Sequence, residues 1–179
     1  MIKNGNSLEL LKEIKSDSVD CMVTDPPYGI SFMNKDWDKA VPDINIWKEC
    51  LRVMKPGAFA FVMCSPRSDV QAEMVIKLKE AGFEVGFTPI YWTYASGFPK
   101  AMNISRAIDK KIGLGGDTGQ LSGSYGGFQP KPAVEVILVA MKSLSEKTYV
   151  DQVLKNGKGV TMAFRLQDSH YLIECPFQI

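Results

Sequence analysis

Apolar positions spaced three or four apart open the chain: in Ser7 to Ile14, SLELLKEI, Leu8, Leu11 and Ile14 line one side of a short amphipathic helix. The run Val19 to Thr24, VDCMVT, loses that period and reads as a buried strand. Helical spacing returns in INIWKECLRVMKPG, where Ile46, Trp47, Cys50, Leu51 and Met54 share a face that Pro56 and Gly57 bring to an end. A second strand follows over Ala58 to Cys64, AFAFVMC. Ser68 with Gln71 makes a capping box, opening a helix through Met74, Val75 and Leu78 that Gly82 closes. FEVGFTPIYWTY then runs extended, broken at Pro89.

Strands alternating with helices predict crossover units in a largely parallel, doubly wound α/β sheet. Ligands of such sheets gather at the carboxyl ends of the strands, which is where Asp25 to Tyr28 fall. The pattern changes after residue 95. From Ser96 to Pro132 the chain is rich in Gly, Ser and Pro, with one helical segment, NISRAIDKKIG. There Ile104, Ala107, Ile108 and Ile112 face one way, away from Arg106, Lys110 and Lys111. VEVILVAMK is a further strong strand. Three regions result: 1–95, an insertion at 96–132, and 133–179, a strand with a divergent tail.

Composition narrows the classes. A chain of 179 residues suits one domain, with roughly 70% of the unfolded surface removed from water. Its formal net charge of +1 means that nucleic acid, if bound, is bound by a local patch. No apolar run reaches the roughly 18 residues of a membrane span, and the N-terminus is unlike a signal peptide, so a cytoplasmic protein without membrane contact is expected. Cys21, Cys50, Cys64 and Cys175 have no knuckle spacing and are expected as free thiols, with no metal site; His170 is read as an ordinary histidine.

The candidate chemistry lies in VTDPPYGI. Neither Pro26 nor Pro27 has a backbone N–H, and their fixed φ keeps the turn extended, so the Pro26 carbonyl is available to a ligand. With the Asp25 carboxylate beside it, the pair can grip both hydrogens of an –NH₂ group, while Tyr28 offers a flat face for stacking. An exocyclic amine of a nucleobase fits. Its lone pair is delocalised into the ring, and acceptors on both N–H groups favour the pyramidal form that can attack an electrophilic methyl.

Joined to its flanks, GNSLELLKEIKSDSVDCMVT before it and WKECLRVMKPGAF and SGFPKAMNISRAIDKKIG after it, DPPYGI resembles the amino-methylating DNA methyltransferases, especially adenine-specific enzymes of phage and bacterial modification systems. The resemblance covers about Lys3 to Gly159. It implies a partial Rossmann-like fold of the S-adenosylmethionine-dependent methyltransferase type, with helices on both faces of the sheet. It implies that Asp25, Pro26 and Pro27 hold the target amine and that Tyr28 stacks on a base flipped from double-stranded DNA, which costs a few kcal/mol. Asn6 stands where the family often has aspartate near the cofactor, so Asn6 and Asp25 are the expected cofactor-binding positions. Trp37 and Asp38 resemble a segment bordering the active site, with an ordinary packed tryptophan as the alternative. The variable segment implies recognition of DNA, in which Lys100, Arg106, Lys110 and Lys111 neutralise phosphates. Lys131 in FQPKPAVEVILVAMK also matches, without a derived role.

The departure from the family is the cofactor loop. In this permuted order a Phe-x-Gly-x-Gly pattern belongs near the end, and the sequence has none; GLGGDTG follows a basic helix rather than a strand and reads as a flexible loop. The tail diverges after NGKGVT. A truncated or frameshifted copy is therefore expected, with a homodimer or a complementary subunit covering the open side of the sheet. Three alternatives stand beside the adenine reading: methylation of the N4 amine of cytosine, a catalytically silent DNA-binding or assembly module, and methylation of an amide or an RNA amine, since any planar –NH₂ suits the grip. Carbon methylation of cytosine is disfavoured, because its nucleophile sits in a Pro-Cys step and the chain has only Cys175-Pro176.

Overall fold

Asn6 starts the first helix by accepting hydrogen bonds at its side chain from the N–H groups of Leu8 (2.9 Å) and Glu9 (3.4 Å). In the computed structural model, which describes residues 3–30, 36–95, 102–113, 121, 123–127, 133–156, 166–167 and 170–171, this helix, α1, spans Ser7–Lys12. Strand β1, Val19–Thr24, has the bounds expected from its apolar run. Helix α2, Ile44–Val53, is capped by Asp43 and buries Trp47, Cys50 and Val53. It ends earlier than the sequence pattern predicts, because Met54 is already extended and opens β2, Met54–Cys64.

Pro56 and Gly57 thus lie inside a strand rather than between elements. The ladder shows how. Val19 is opposite Met54, but Cys21 is opposite Phe59, so the extra residues bulge out of register there, with Gly57 at φ +80°.

Helix α3, Ser68–Ala81, also begins differently from expectation. Its cap position is Arg67, which makes no side-chain capping bond, and Ser68 is already helical, so the Ser68–Gln71 capping box is not formed. Its end is as predicted: Gly82 takes the left-handed conformation at φ +106° and closes the helix onto the carbonyls of Leu78 and Lys79. Short β3 (Phe83–Glu84) and β4 (Ile90–Tyr94) follow, flanking Pro89. Then come β5 (Met102–Asn103), α4 (Ile104–Lys111), β6 (Tyr125–Gly126), β7 (Ala133–Lys142), α5 (Tyr149–Asn156) and a hairpin of β8 (Leu166–Gln167) and β9 (His170–Tyr171).

The main sheet has the order β1-β2-β7-β3, with β4 also paired to β7. Only β1 and β2 run parallel in the registered pairs; β7 is antiparallel to both β2 and β3. The expectation of a largely parallel sheet is corrected here. VEVILVAMK lies between β2 and β3 and runs antiparallel to both. Among the described residues β1 has a strand on one side only.

Ala58, Ala60, Val62 and Cys64 on β2 face the apolar cluster of Trp47, Val70, Met74 and Leu78. The small residues let α2 and α3 approach the strand closely. On the opposite face Phe59 meets Phe87 edge-on, and α5 approaches through the Tyr149 hydroxyl, 3.7 Å from the sulfur of Met141, the residue opposite Phe59. Helices therefore meet both faces. The end of the sheet away from the motif is tied by Lys142, which donates to Asp17 (2.7 Å) and to the carbonyl of Met54 (2.9 Å).

The chain divides into two compact units, residues 1–91 with 136–179, and Trp92–Glu135. The second contains α4, capped by Asn103, which accepts from the Arg106 N–H at 3.0 Å, and a Tyr94 hydroxyl that donates to Glu135 at 3.2 Å. Within α4 the buried positions are Ser105 and Asp109, while Ile108 and Ile112 are exposed, so the buried stripe is a polar one and not the isoleucine face.

Candidate active site

Strand β1 ends at Thr24, opposite Val62 of the parallel neighbour, and delivers Asp25 to the carboxyl edge of the sheet with its side chain exposed. Pro26 and Pro27 contribute no donors, so Tyr28 and Gly29 carry the next backbone N–H groups. Both donate to one oxygen, Oδ1 of Asp38, at 2.7 and 2.9 Å. Asp38 sits in a one-turn 3-10 helix, Asp36–Asp38, and is 2% exposed. The turn works only with glycine at its corner. Gly29 has φ +73°, and a Cβ there would lie 3.0 Å from the backbone nitrogen of Val41 and 3.1 Å from the carbonyl carbon of Ala40.

Held in this way, Tyr28 packs its half-buried ring against the core and turns its hydroxyl back to donate to Oδ1 of Asp25 at 2.7 Å. The second oxygen of Asp25 has no protein partner among the described residues. The arrangement presents an oriented carboxylate, an aromatic ring and a backbone stretch without donors at the carboxyl edge of the sheet.

Beside it, the loop after β2 carries Ser65, 6% exposed, whose hydroxyl accepts from the Arg67 N–H at 3.3 Å. Arg67 forks onto Asp69 at 3.1 and 2.5 Å. That side-chain hydrogen bonding raises the arginine above its usual value and lowers the aspartate below the usual carboxylate range.

A family model described as DNA methylase, covering N6 and N4 methyltransferases, matches residues 19–168, from the first residue of β1 onward. The chain belongs to the N6/N4 DNA methylase family. This methylase chain is 33% identical over 75 residues to the type II methyltransferase M.BamHI of Bacillus amyloliquefaciens, a match covering 36% of the chain and 17% of that protein. It is 27% identical over 113 residues to the type II methyltransferase M.HpaI of Haemophilus parainfluenzae, covering 59% of the chain and 35% of that protein. The match thus spans about a third or less of either relative. Its fold is similar to the solved M1.HpyAVI–SAM complex, with a TM-score of 0.51, 17% identity, and coverage of 97% of the chain and 61% of that structure.

The other residues picked out in the methylase sequence divide between the two units. Asn6 lies at the start of α1, where its side-chain oxygen is engaged in the cap. Arg106, Lys110 and Lys111 are exposed on α4 in the unit Trp92–Glu135, apart from the unit that holds Asp25. Lys100, Lys131, Cys175 and most of GLGGDTG lie outside the described residues. Trp37 is 61% exposed, which removes the reading of an ordinary packed tryptophan.

Among the described residues no three His, Cys, Asp or Glu side chains gather to hold a metal ion, and no helix is long and apolar enough to cross a membrane. Cys21, Cys50 and Cys64 form no disulfide among the described residues, and burial, with the charge of Glu49 beside it, pushes Cys50 up to about 11. Sequence reasoning noticed Asp38 only as a border residue and missed its bond to the motif. The signal was present: two prolines leave the N–H groups of Tyr28 and Gly29 needing an acceptor, and a carboxylate stands ten residues on.

Proposed function

We propose that the chain methylates the exocyclic N6 amine of adenine in double-stranded DNA, with S-adenosylmethionine as methyl donor. The observation that carries this reading is Asp25 at the carboxyl end of β1, oriented by the Tyr28 hydroxyl and followed by two residues without N–H donors. When bound, the cofactor would supply a methyl made electrophilic by its sulfonium and would leave as the neutral thioether once the C–S bond breaks.

The chain's own residues act on the amine. The open oxygen of Asp25 and the carbonyl of Pro26 each accept one N–H, which draws the nitrogen toward a pyramidal geometry with its lone pair free. The Tyr28 ring lies next to that position and stacks on a base turned out of the duplex. Asp25, whose other oxygen already accepts from the Tyr28 hydroxyl, would take the N–H proton that becomes acidic on the alkylated amine. Cytosine N4 offers the same planar –NH₂ and is the neighbouring reading. Arg106, Lys110 and Lys111 on α4 are the proposed phosphate contacts, together with Lys100, and the separate unit Trp92–Glu135 supports a DNA-recognition role for the 96–132 insertion.

Fewer residues fit the cofactor than fit the amine: the Asn6 oxygen is engaged in the α1 cap, which leaves its amide nitrogen and Asp25 as the proposed contacts. The engagement of the Asn6 oxygen in the α1 cap favours a second reading, a silent DNA-binding or assembly module. Among the described residues β1 pairs on one side only, which, with Val23 69% exposed, supports a complementary subunit or a second copy that adds a strand there.

Calorimetric titration with S-adenosylmethionine, with and without duplex DNA, followed by transfer of labelled methyl to unmethylated plasmid DNA, tests the reading. N6-methyladenine in the nuclease digest supports it, and N4-methylcytosine moves it to the neighbouring amine. DNA binding without cofactor binding or transfer overturns it in favour of the silent module.

A further inference from the structure

We infer that Asp38 is a positioning residue for methyl transfer: its carboxylate holds the backbone of Tyr28 and Gly29, and through them sets the Tyr28 ring and the oxygen of Asp25 that Tyr28 orients. The inference rests on the methyltransferase reading above and concerns a residue that never touches the amine.

Four observations carry it. The two N–H groups after the double proline converge on one buried oxygen at 2.7 and 2.9 Å, the short distances of charge-assisted bonds. Asp38 is 2% exposed, so the carboxylate is held by protein and its acceptor capacity is not shared with bulk water. Gly29 is wedged against the backbone of Ala40 and Val41, which places the motif loop and the segment just after Asp38 in direct contact. Tyr28 is fixed at both ends, its N–H on Asp38 and its hydroxyl on Asp25.

A chain of contacts therefore runs from the buried aspartate to the exposed one. Without Asp38 the extended turn keeps its proline-fixed φ angles, but the chain leaving it loses its anchor. Displacement of a reacting group by about 1 Å costs on the order of 100-fold in rate.

The experiment uses the full chain, labelled with ¹⁵N, as wild type, Asp38→Ala, Asp38→Asn and a control, Asp43→Ala, which removes the exposed α2 cap. Two measurements are made on each: amide hydrogen exchange, and methyl transfer to unmethylated plasmid DNA with kcat and KM resolved. In Asp38→Ala the amides of Tyr28 and Gly29 lose protection while those of β2 keep it, and kcat falls on the order of 100-fold with KM for DNA changed less than threefold. Asp38→Asn, which keeps an acceptor without the charge, falls between, and Asp43→Ala retains wild-type kcat.

Unchanged exchange at Tyr28 and Gly29 in Asp38→Ala overturns the inference, and so does lost protection with kcat intact. A wild-type chain that transfers no methyl is a failure of the enzymatic reading instead, and the exchange result then decides by itself whether Asp38 holds the motif.

Discussion

Alanine at position 29 isolates the demand that the motif loop makes on its backbone. The left-handed conformation at φ +73° costs a residue with a Cβ about 1–2 kcal/mol. The added carbon also meets main-chain atoms of Ala40 and Val41 at 3.0 to 3.2 Å, and backbone cannot rotate away as a side chain can. Forcing that shift adds about 1–3 kcal/mol, the usual range for overpacking. The sum is about 2–5 kcal/mol.

Two glycines of the same unit calibrate it. Gly82, at φ +106°, would meet only the Cδ2 end of Leu51, which can swing aside, so Gly82→Ala costs about 1–2 kcal/mol. Gly86 has ordinary φ and open space, and Gly86→Ala is neutral or stabilising by up to about 1 kcal/mol. Urea unfolding followed by the fluorescence of Trp47, 2% exposed in the core, reads all three. With a slope of ~2 kcal/mol per M, Gly29→Ala lowers the midpoint by roughly 1–2.5 M. A midpoint for Gly29→Ala at or above that of Gly82→Ala refutes the claim that contact with backbone is the deciding cost.

Tyr28→Phe keeps the ring and removes the hydroxyl on Asp25; a hydrogen bond to a charged acceptor is worth about 1.5 kcal/mol, so kcat falls about tenfold with stability nearly unchanged, and an unaltered kcat counts against the orienting role. Because burial raises Cys50 to about 11, its stabilising contribution is complete below the unfolded thiol value near 9 and is lost as pH rises from there through about 11; urea midpoints for wild type and Cys50→Ala measured from pH 8 to 11 should converge as pH rises, and parallel curves contradict this. In the same buried setting, iodoacetamide at pH 8 modifies half-buried Cys21 before Cys50 or Cys64, as peptide mass mapping checks. Val23→Lys places a charge on the exposed residue of the one-sided strand, and light scattering should show less association than wild type; equal association moves the contact away from β1.

The β1 bounds and the end of α3 were legible because local chemistry decides them: an apolar run in one case, a glycine able to take φ +106° in the other. The start of α3 was not, since Arg67 pairs with Asp69 and takes the cap position that Ser68 was expected to fill. Strand direction was illegible for a different reason. Nothing in VEVILVAMK states which way it lies against β2, because that is set by the route of the preceding segment, and the register only becomes explicit in pairs such as Phe61 with Val139. At the site, the residues of DPPY are contiguous and were legible as a candidate from the sequence, whereas the contact of Asp38 with Tyr28 and Gly29 depends on a fold that brings two segments together. The exposed isoleucines of α4 show the same limit: periodicity marks an apolar face but does not say whether anything covers it.

The position of β7 in the middle of the sheet also sets a timetable for the emerging chain. Among the described residues β3 pairs with no strand but β7, and Lys142 closes contacts with Asp17 and Met54 from the far end of the same strand. On the ribosome, β7 at Ala133–Lys142 begins about 50 residues after β3 at Phe83–Glu84, several seconds at ~5–20 residues per second. During that interval β2 has a bare edge and Phe83 has no ladder, while α2, β2 and α3 have already been made. The chain is therefore most exposed to misassociation in the middle of its own synthesis, and a pause before Ala133 would lengthen that exposure more than a pause anywhere after Lys142.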